Sequence, residues 1–423
     1  MKANVVHGDF NPCGGAERLS LVTMQSLSER GMDFDLTTLK SPNISKLVNS
    51  FGKNLVFVLK KADKINVINI LEELREQQHL GEHKENYNYD ITINTNGDAA
   101  PYYRSSFSKD NAITYCHFPS TQYHIAFENS EYLRTDLGMT EWTNATISKR
   151  EGYGGYEDDN NIKETELQIS RKKYYFEIIK YGYQNLMKNS LVVTNSEFSC
   201  RAIVNIFRLD DVRILSPPID IETFHNTALI TNGYNEIKDT ILVISRIAPH
   251  KKIENAIKLA KILKDNNIGK GMKIVGNLYQ YFFDYYSGLQ QMVLQLDLTD
   301  YISFEINVSL DKLLSIMRDS SIYFHPMVGE HFGMSVIEAM AAGLITVVPK
   351  EGGASEFVPQ QYQYDTIKRA AEIIINIFNH VPKKDRIIVK DLGKFSNSHY
   401  IAGFQNILDE LIKYKQKRSR SLH

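Results

Sequence analysis

Two successive series of alternating strand-like and helix-like patterns, separated by a Pro-Pro step, constrain the fold of this chain more than any other feature. In the first series Asn4–His7 is a short apolar run, and Gly8 to Gly15 is a loop holding three glycines and a proline. Ala16–Arg30 then places Leu19, Leu21, Val22, Met24 and Leu27 at near-helical spacing, and Gly31 supplies a stop before a strand at Asp33–Leu39. A strand–helix–strand unit of this length implies parallel pairing and a right-handed crossover. Further strands are expected at Tyr89–Asn94, Ala112–Cys116, Ser190–Thr194 and Val212–Leu215. Ser216-Pro217-Pro218-Ile219-Asp220 ends the pattern, because two prolines remove two backbone donors and favour extended chain. The second series predicts strands at Thr240–Ser245, Met272–Val275, Tyr301–Ile306, Ile322–His325 and Leu344–Pro349. Helices are expected between them at Ile253–Lys264, Phe282–Leu296, Leu310–Arg318 and Gly333–Ala342. The expected class is α/β: two Rossmann-like, doubly wound domains, 1–217 and 218–396, facing each other across a cleft. Ligands of such a cleft sit at the carboxyl ends of the strands. Asn397–Lys415 reads as a last helix with Tyr400, Phe404, Ile407, Leu408 and Leu411 on one face.

Length and composition agree with this division. The chain has 423 residues, enough for two or three domains. Its 43% hydrophobic and 23% charged content excludes a mainly disordered or fibrous protein. Lys+Arg number 49 against 50 Asp+Glu, so bulk nucleic-acid binding has no electrostatic basis and no nucleic-acid partner is expected. Cys13, Cys116 and Cys200 are far apart and form no C-x-x-C, which fits a reducing compartment and neither a disulfide scaffold nor a cysteine-based zinc site. The apolar stretch at the start is broken by His7 and Asp9 too early for a signal peptide, and no window of 18 residues is apolar enough to span a bilayer. The expected location is cytoplasmic, including a peripheral position at the inner face of the membrane.

The candidate chemistry lies at the predicted loop–helix junctions. Glu330 and Glu338 stand eight positions apart in Gly329-Glu330-His331-Phe332-Gly333-Met334-Ser335-Val336-Ile337-Glu338. Eight helical residues span about 12 Å, near the separation between the sugar and the ribose of a nucleotide sugar. Free amides at the helix start favour an anion between the two carboxylates. An ordinary helix with solvated glutamates has the same spacing. Arg246 with Lys251 and Lys252 follows a predicted strand and suits a diphosphate, as it also suits a solvated basic loop. Gly14 and Gly15 allow close backbone approach to a ligand, or simply a tight turn; Gly352 and Gly353 repeat the theme. His117 ends a predicted strand and faces the expected cleft, although a lone histidine is more often structural. Asp33-Phe34-Asp35 lies inside a predicted strand and is read as structural.

In order, Gly14-Gly15-Ala16-Glu17-Arg18, Cys116-His117-Phe118-Pro119, Val193-Thr194-Asn195-Ser196, Pro217-Pro218-Ile219-Asp220, Arg246 with Lys251, Glu330 with Glu338, and Gly352-Gly353 resemble a family 4 glycosyltransferase of the GT-B fold. Gly329-to-Gly333 and Tyr174-Tyr175-Phe176 to Tyr181-Gly182 are similar to the mannosyltransferases that extend dolichol-linked oligosaccharides. The resemblance implies retaining transfer of a hexose, with GDP-mannose as the expected donor and a lipid-linked glycan as the expected acceptor, without a cofactor or a catalytic metal. A UDP-sugar donor with a soluble or glycolipid acceptor, and a noncatalytic nucleotide- or carbohydrate-binding protein, are the alternatives. It implies that Arg246 and Lys251 neutralise the diphosphate, Glu330 holds donor-sugar hydroxyls, and Glu338 holds the ribose. Amides of Phe332, Gly333 and Met334 would meet sugar or phosphate, Gly14 and Gly15 the diphosphate, and His117 the sugar beside its anomeric carbon. It also implies that the helix 397–416 packs back on the first domain. Two departures are Lys252, where many members have glycine, and Pro359-Gln360-Gln361-Tyr362 in place of a glycine-rich turn. An anionic membrane surface is a further expected partner, through the basic-aromatic segment Arg171–Tyr181 and the cations Lys413, Lys415, Lys417, Arg418 and Arg420. A helix packed on the first sheet and a solvated tail are the plainer readings of those two segments.

Overall fold

The computed structural model describes residues 1–68, 89–96, 111–120, 183–229, 239–381 and 392–421. Two parallel sheets organise them, which bears out the expected doubly wound α/β class. The first contains β1 (Lys2–Val6), β2 (Asp33–Thr38), β3 (Ile65–Val67), β4 (Ile91–Asn94), β5 (Ala112–Tyr115), β6 (Leu191–Thr194) and β7 (Val212–Ile214). Their order is β3-β2-β1-β4-β5-β6-β7. The second contains β8 (Thr240–Ile244), β9 (Gly271–Gly276), β10 (Ile302–Ile306), β11 (Ile322–Phe324), β12 (Ile345–Pro349) and β13 (Gln363–Tyr364), in the order β10-β9-β8-β11-β12-β13. Every pairing in both sheets is parallel. Strands covered on both faces need continuous apolar runs, and β4, β5, β11 and β12 are buried at every residue. The strand order reverses between β1 and β4 and between β8 and β11. A crevice therefore opens beyond their carboxyl ends, where the loops after β1, β5, β8 and β11 carry the candidate residues.

The helix Gly15–Glu29 and the helix Asn397–Ser421 pack together on the first sheet. Tyr400, Phe404, Ile407, Leu408 and Leu411 share one apolar core with Leu19, Leu21, Val22, Met24 and Val5, and the Tyr400 hydroxyl lies 2.7 Å from Thr23 Oγ1. The chain crosses between the sheets twice, and the two crossings lie side by side. Ile219 N–H donates to Phe395 O at 2.8 Å, and Ile219 bridges Ser396. Arg18 clamps both crossings, donating from Nε to Pro218 O at 3.2 Å and from Nη2 to Asn397 Oδ1 at 3.0 Å.

The turn at Pro359 leaves the second sheet intact. Gln360–Tyr362 forms one 3-10 turn that leads into β13. Gln363 Nε2 then donates to Ser355 O at 2.9 Å and Val358 O at 2.7 Å, so a side-chain amide fastens the turn. In Asp33-Phe34-Asp35, Asp33 is exposed while buried Asp35 meets Lys2 Nζ at 2.9 Å and the Tyr89 hydroxyl at 2.6 Å. Arg171–Tyr181 lies outside the described residues, as do the side chains of Lys417, Arg418 and Arg420. Lys415 is tied inward, its Nζ donating to Asp90 O at 3.0 Å.

Candidate active site

The β8 end supplies the cations. Pro249–Lys251 makes a single 3-10 turn, and Lys252 closes it at φ +52° before the helix Ile253–Asp265 begins. A left-handed residue closes the turn there, a conformation that glycine adopts without strain. The turn aims Lys251 at Glu330, with Nζ 2.8 Å from Oε2. Arg246 is exposed, and among the described residues no carboxylate pairs with it.

The loop after β11 supplies Glu330. Gly329 at φ +75° and Gly333 at φ +93° turn the backbone on either side. Gly352 and Gly353 lie directly behind it. Glu330 bridges Gly352, and Gly353 N–H donates to Glu330 O at 2.7 Å. A Cβ on Gly353 would stand 2.2 Å from His331 O, so only glycine fits. His325 Nε2 lies 3.4 Å from Glu330 Oε2, and His331 N–H donates to Oε1 at 3.2 Å. Burial acts to raise the Glu330 pKa, but Lys251, His325 and His331 together hold it well below the ordinary carboxylate range.

Gly333 caps the helix Met334–Ala341. Among the described residues, no acceptor engages the amides of Phe332, Gly333 and Met334. The Phe332 ring is buried against Phe357 and Phe395, so only its backbone faces the crevice. Glu338, on the second turn, is half-buried and senses Arg18 and Asp220. Burial first, and Asp220 with it, raise its pKa to about 7 against the pull of Arg18.

The first sheet contributes the opposite wall. Gly14 caps the helix Gly15–Glu29 and donates its N–H to the Glu17 carboxylate. Gly15 abuts Met334 so closely that a Cβ would stand 2.2 Å from Sδ. His117 donates Nε2–H to Thr95 O at 3.0 Å, and burial lowers its pKa to about 4. Its neighbour Phe118 stacks on His331 at 3.9 Å. Ser196 Oγ donates to His331 O at 2.7 Å. Glu356 accepts the N–H groups of Glu197 and Phe198 at 3.1 and 2.7 Å, capping the helix Glu197–Phe207 from the other domain. The Tyr279 hydroxyl donates to Pro12 O at 3.1 Å.

The structure thus brings Lys251, Glu330, the Phe332–Met334 amides, Gly15 and Met334 together, with Arg18 beside Glu338. Arg246 is exposed and lies near Tyr279, and His117 is fastened to Thr95 on the first-sheet side. Arg18, His325, His331 and Glu356 are functional neighbours that the sequence reading leaves without a site role. His325 and Glu330 are only five positions apart at a strand end, the one signal that could have marked the histidine. Among the described residues, no group of three or more His, Cys, Asp or Glu is arranged to hold a metal ion. No helix among them is long and apolar enough to cross a membrane.

Comparison with known proteins shows what this chain is similar to. Residues 230–386 match the family model described as glycosyl transferases group 1. The GDP-Man:Man(3)GlcNAc(2)-PP-Dol alpha-1,2-mannosyltransferase of Dictyostelium discoideum is 25% identical over 287 residues, 63% of this chain and 56% of that protein. The chain spans about half the length of the curated relatives it matches. Sucrose-phosphate synthase from Thermosynechococcus elongatus has a TM-score of 0.63 at 13% identity, covering 98% of this chain and 100% of that one. Anabaena Alr3699/HepE in complex with UDP has a TM-score of 0.61 at 14% identity, over 97% and 100%. The resemblance to GT-B glycosyltransferases is borne out, by sequence in the second domain and by fold along the whole chain.

Proposed function

We propose that the protein is a retaining, metal-independent glycosyltransferase that moves mannose from GDP-mannose to a lipid-linked glycan. The observation that carries this reading is the Lys251–Glu330 pair at 2.8 Å beside the unengaged amides that open the helix Met334–Ala341. A cation, a carboxylate and a helix N-terminus at one point can bind a phosphate and a hydroxyl-bearing sugar together. The names of the curated relatives support the donor and the acceptor class.

In this reading the exposed Arg246 folds onto the diphosphate together with Lys251, where negative charge grows as the sugar leaves. Amides of Phe332, Gly333 and Met334 add fixed dipoles at the same place. Glu330 orients the sugar, Glu338 the ribose, and Gly14 and Gly15 let the first domain approach the phosphates. His117 stands over the sugar as a neutral imidazole. A membrane face is the place where a lipid-linked acceptor is met.

Thermal-shift titration with GDP-, UDP- and ADP-sugars tests the donor, because a specific ligand stabilises the folded state by mass action. GDP-mannose should give the largest shift and be turned over with EDTA present. A larger shift with a UDP-sugar would replace the donor, loss of turnover in EDTA would refute metal independence, and binding without hydrolysis or transfer would leave a noncatalytic protein.

A further inference from the structure

A run of hydrogen bonds leads from the helix Met334–Ala341 through Tyr323 to His325, which faces Glu330, and none of its inner members has a part in the reading above. His325 follows β11 and is 2% exposed. Its backbone is fixed on both sides, with N–H donating to Val347 O at 2.9 Å and C=O accepting from the Tyr364 hydroxyl at 2.7 Å. Nδ1 lies 3.1 Å from the Tyr323 hydroxyl, which lies 2.8 Å from Ser335 Oγ on the first turn of the helix Met334–Ala341. Nε2 lies 3.4 Å from Glu330 Oε2, an ion-pair distance, and among the described residues it is a buried atom that makes no hydrogen bond of good geometry.

The two neutral tautomers differ sharply here. With hydrogen on Nδ1, the Nε2 lone pair would face a carboxylate oxygen in a buried setting, two acceptors with nothing between them. With hydrogen on Nε2, Ser335 can donate to Tyr323 and Tyr323 to Nδ1, although Ile244 O at 3.4 Å is a second acceptor for that hydroxyl, and Nε2–H is turned to the facing carboxylate oxygen. A doubly protonated ring also presents Nε2–H to Glu330. Oε2 then carries two donors, Lys251 and His325. Oε1, which among the described residues accepts only the His331 N–H, is the oxygen left for a ligand hydroxyl.

We propose that His325 is a positioning residue for Glu330. Its Nε2–H holds Oε2 inward on Lys251 and leaves Oε1 turned to the donor sugar, while the facing carboxylate sets the tautomer and Tyr323 is placed to donate to Nδ1. The catalytic consequence rests on the proposed glycosyl transfer; the tautomer does not.

The test therefore has two arms on the full chain. Long-range ¹H–¹⁵N spectra of protein labelled at its 12 histidines, with His325 assigned by its loss in His325→Gln, should show hydrogen on Nε2. A bare Nε2 overturns the proposal whatever the substrate. In the second arm His325→Ala should lower kcat/KM for the nucleotide sugar at least tenfold and change the Kd for GDP less than twofold. His325→Gln, whose amide nitrogen reaches the Nε2 position, should recover most of the loss, and His325→Asn, whose amide reaches only Nδ1, should not. Equal loss from Gln and Asn, or weakening of GDP as large as the loss in turnover, overturns positioning. A wild-type protein that turns over no nucleotide sugar would refute the proposed function, and the nitrogen spectra would still decide the tautomer.

Discussion

If Glu338 holds the ribose as proposed, it links the folding of the second domain to nucleotide binding through one proton. Its pKa is raised to about 7 from an ordinary value of 4.5, by burial first and by Asp220, while Arg18 opposes. The folded chain therefore keeps a proton that the unfolded chain has lost between those two values. Stability falls as pH rises through that window, by at most about 3 kcal/mol in all. Ribose hydroxyls, however, bond best to the ionised carboxylate. A group with this pKa is roughly one tenth ionised at pH 6 and nine tenths at pH 8, so affinity should rise about tenfold over that interval. The terminal phosphate of GDP also titrates near pH 6 and strengthens binding in the same direction. Glu338→Gln separates the two effects. Calorimetric titration of GDP should show about a tenfold steeper gain for wild type than for Glu338→Gln. At pH 8 the variant should bind roughly 10- to 150-fold more weakly, the cost of a lost charged hydrogen bond. It should also unfold at a higher temperature than wild type at pH 8, since no charge is then buried. Parallel affinity curves for the two proteins would refute the ribose role, and an unchanged unfolding temperature would refute the burial argument.

Three other perturbations probe the remaining parts. Gly353→Ala drives a Cβ to 2.2 Å from His331 O and should cost about 2–4 kcal/mol by overpacking plus a lost backbone bond. Gly329→Ala, at φ +75° with nothing within 4 Å, should cost only about 1–2 kcal/mol; equal urea midpoints for the two would show that the close approach is not real. Lys251→Ala should destroy turnover and cost about 2–3 kcal/mol by stranding Glu330, whereas Lys252→Gly should relieve a left-handed residue and raise stability by about 1 kcal/mol; the reverse order would overturn the assignment of the two lysines. Cosedimentation with anionic liposomes should appear at low salt and weaken at high salt; folded protein that ignores such liposomes at low salt would favour a soluble acceptor.

The long apolar strands and the Pro-Pro step were legible because burial on two faces leaves a continuous signature. β3 and β13 were not, since Ile65–Val67 is an edge strand with Ile65 and Val67 exposed and Gln363–Tyr364 is two residues long. Helices at Glu197–Phe207 and Ile367–His380 also went unassigned, although Ser196 and Thr366 cap them from side chains that a sequence shows plainly. Within the site, residue types and order marked Lys251, Glu330 and Glu338. The bond between Lys251 and Glu330 could not be read, because it joins loops 79 residues apart. Arg18 was quoted only as part of a glycine motif. Its reach to Pro218 and Asn397 depends on two chain crossings lying side by side, which no local pattern encodes.

The donor loop is held from both domains at adjacent residues, and this ties closure of the crevice to the geometry of Glu330. His331 N–H holds Glu330 Oε1, while the carbonyl of the same residue accepts from Ser196 and its ring stacks on Phe118. Two residues past Gly353, Ser355 Oγ returns to Gly352 O at 2.8 Å, and Glu356 takes two amides of the first domain. Each such bond is worth only about 1 kcal/mol, somewhat more where a carboxylate accepts. None is strong enough to keep the domains together alone, and all must break together if they separate. Separation would therefore free His331 on one side of Glu330 and the Gly352–Gly353 backing on the other. In the proposed reaction a donor that draws Gly15 and Met334 onto its phosphates would remake the same contacts, and Glu330 would be fully positioned only when the first domain is in place.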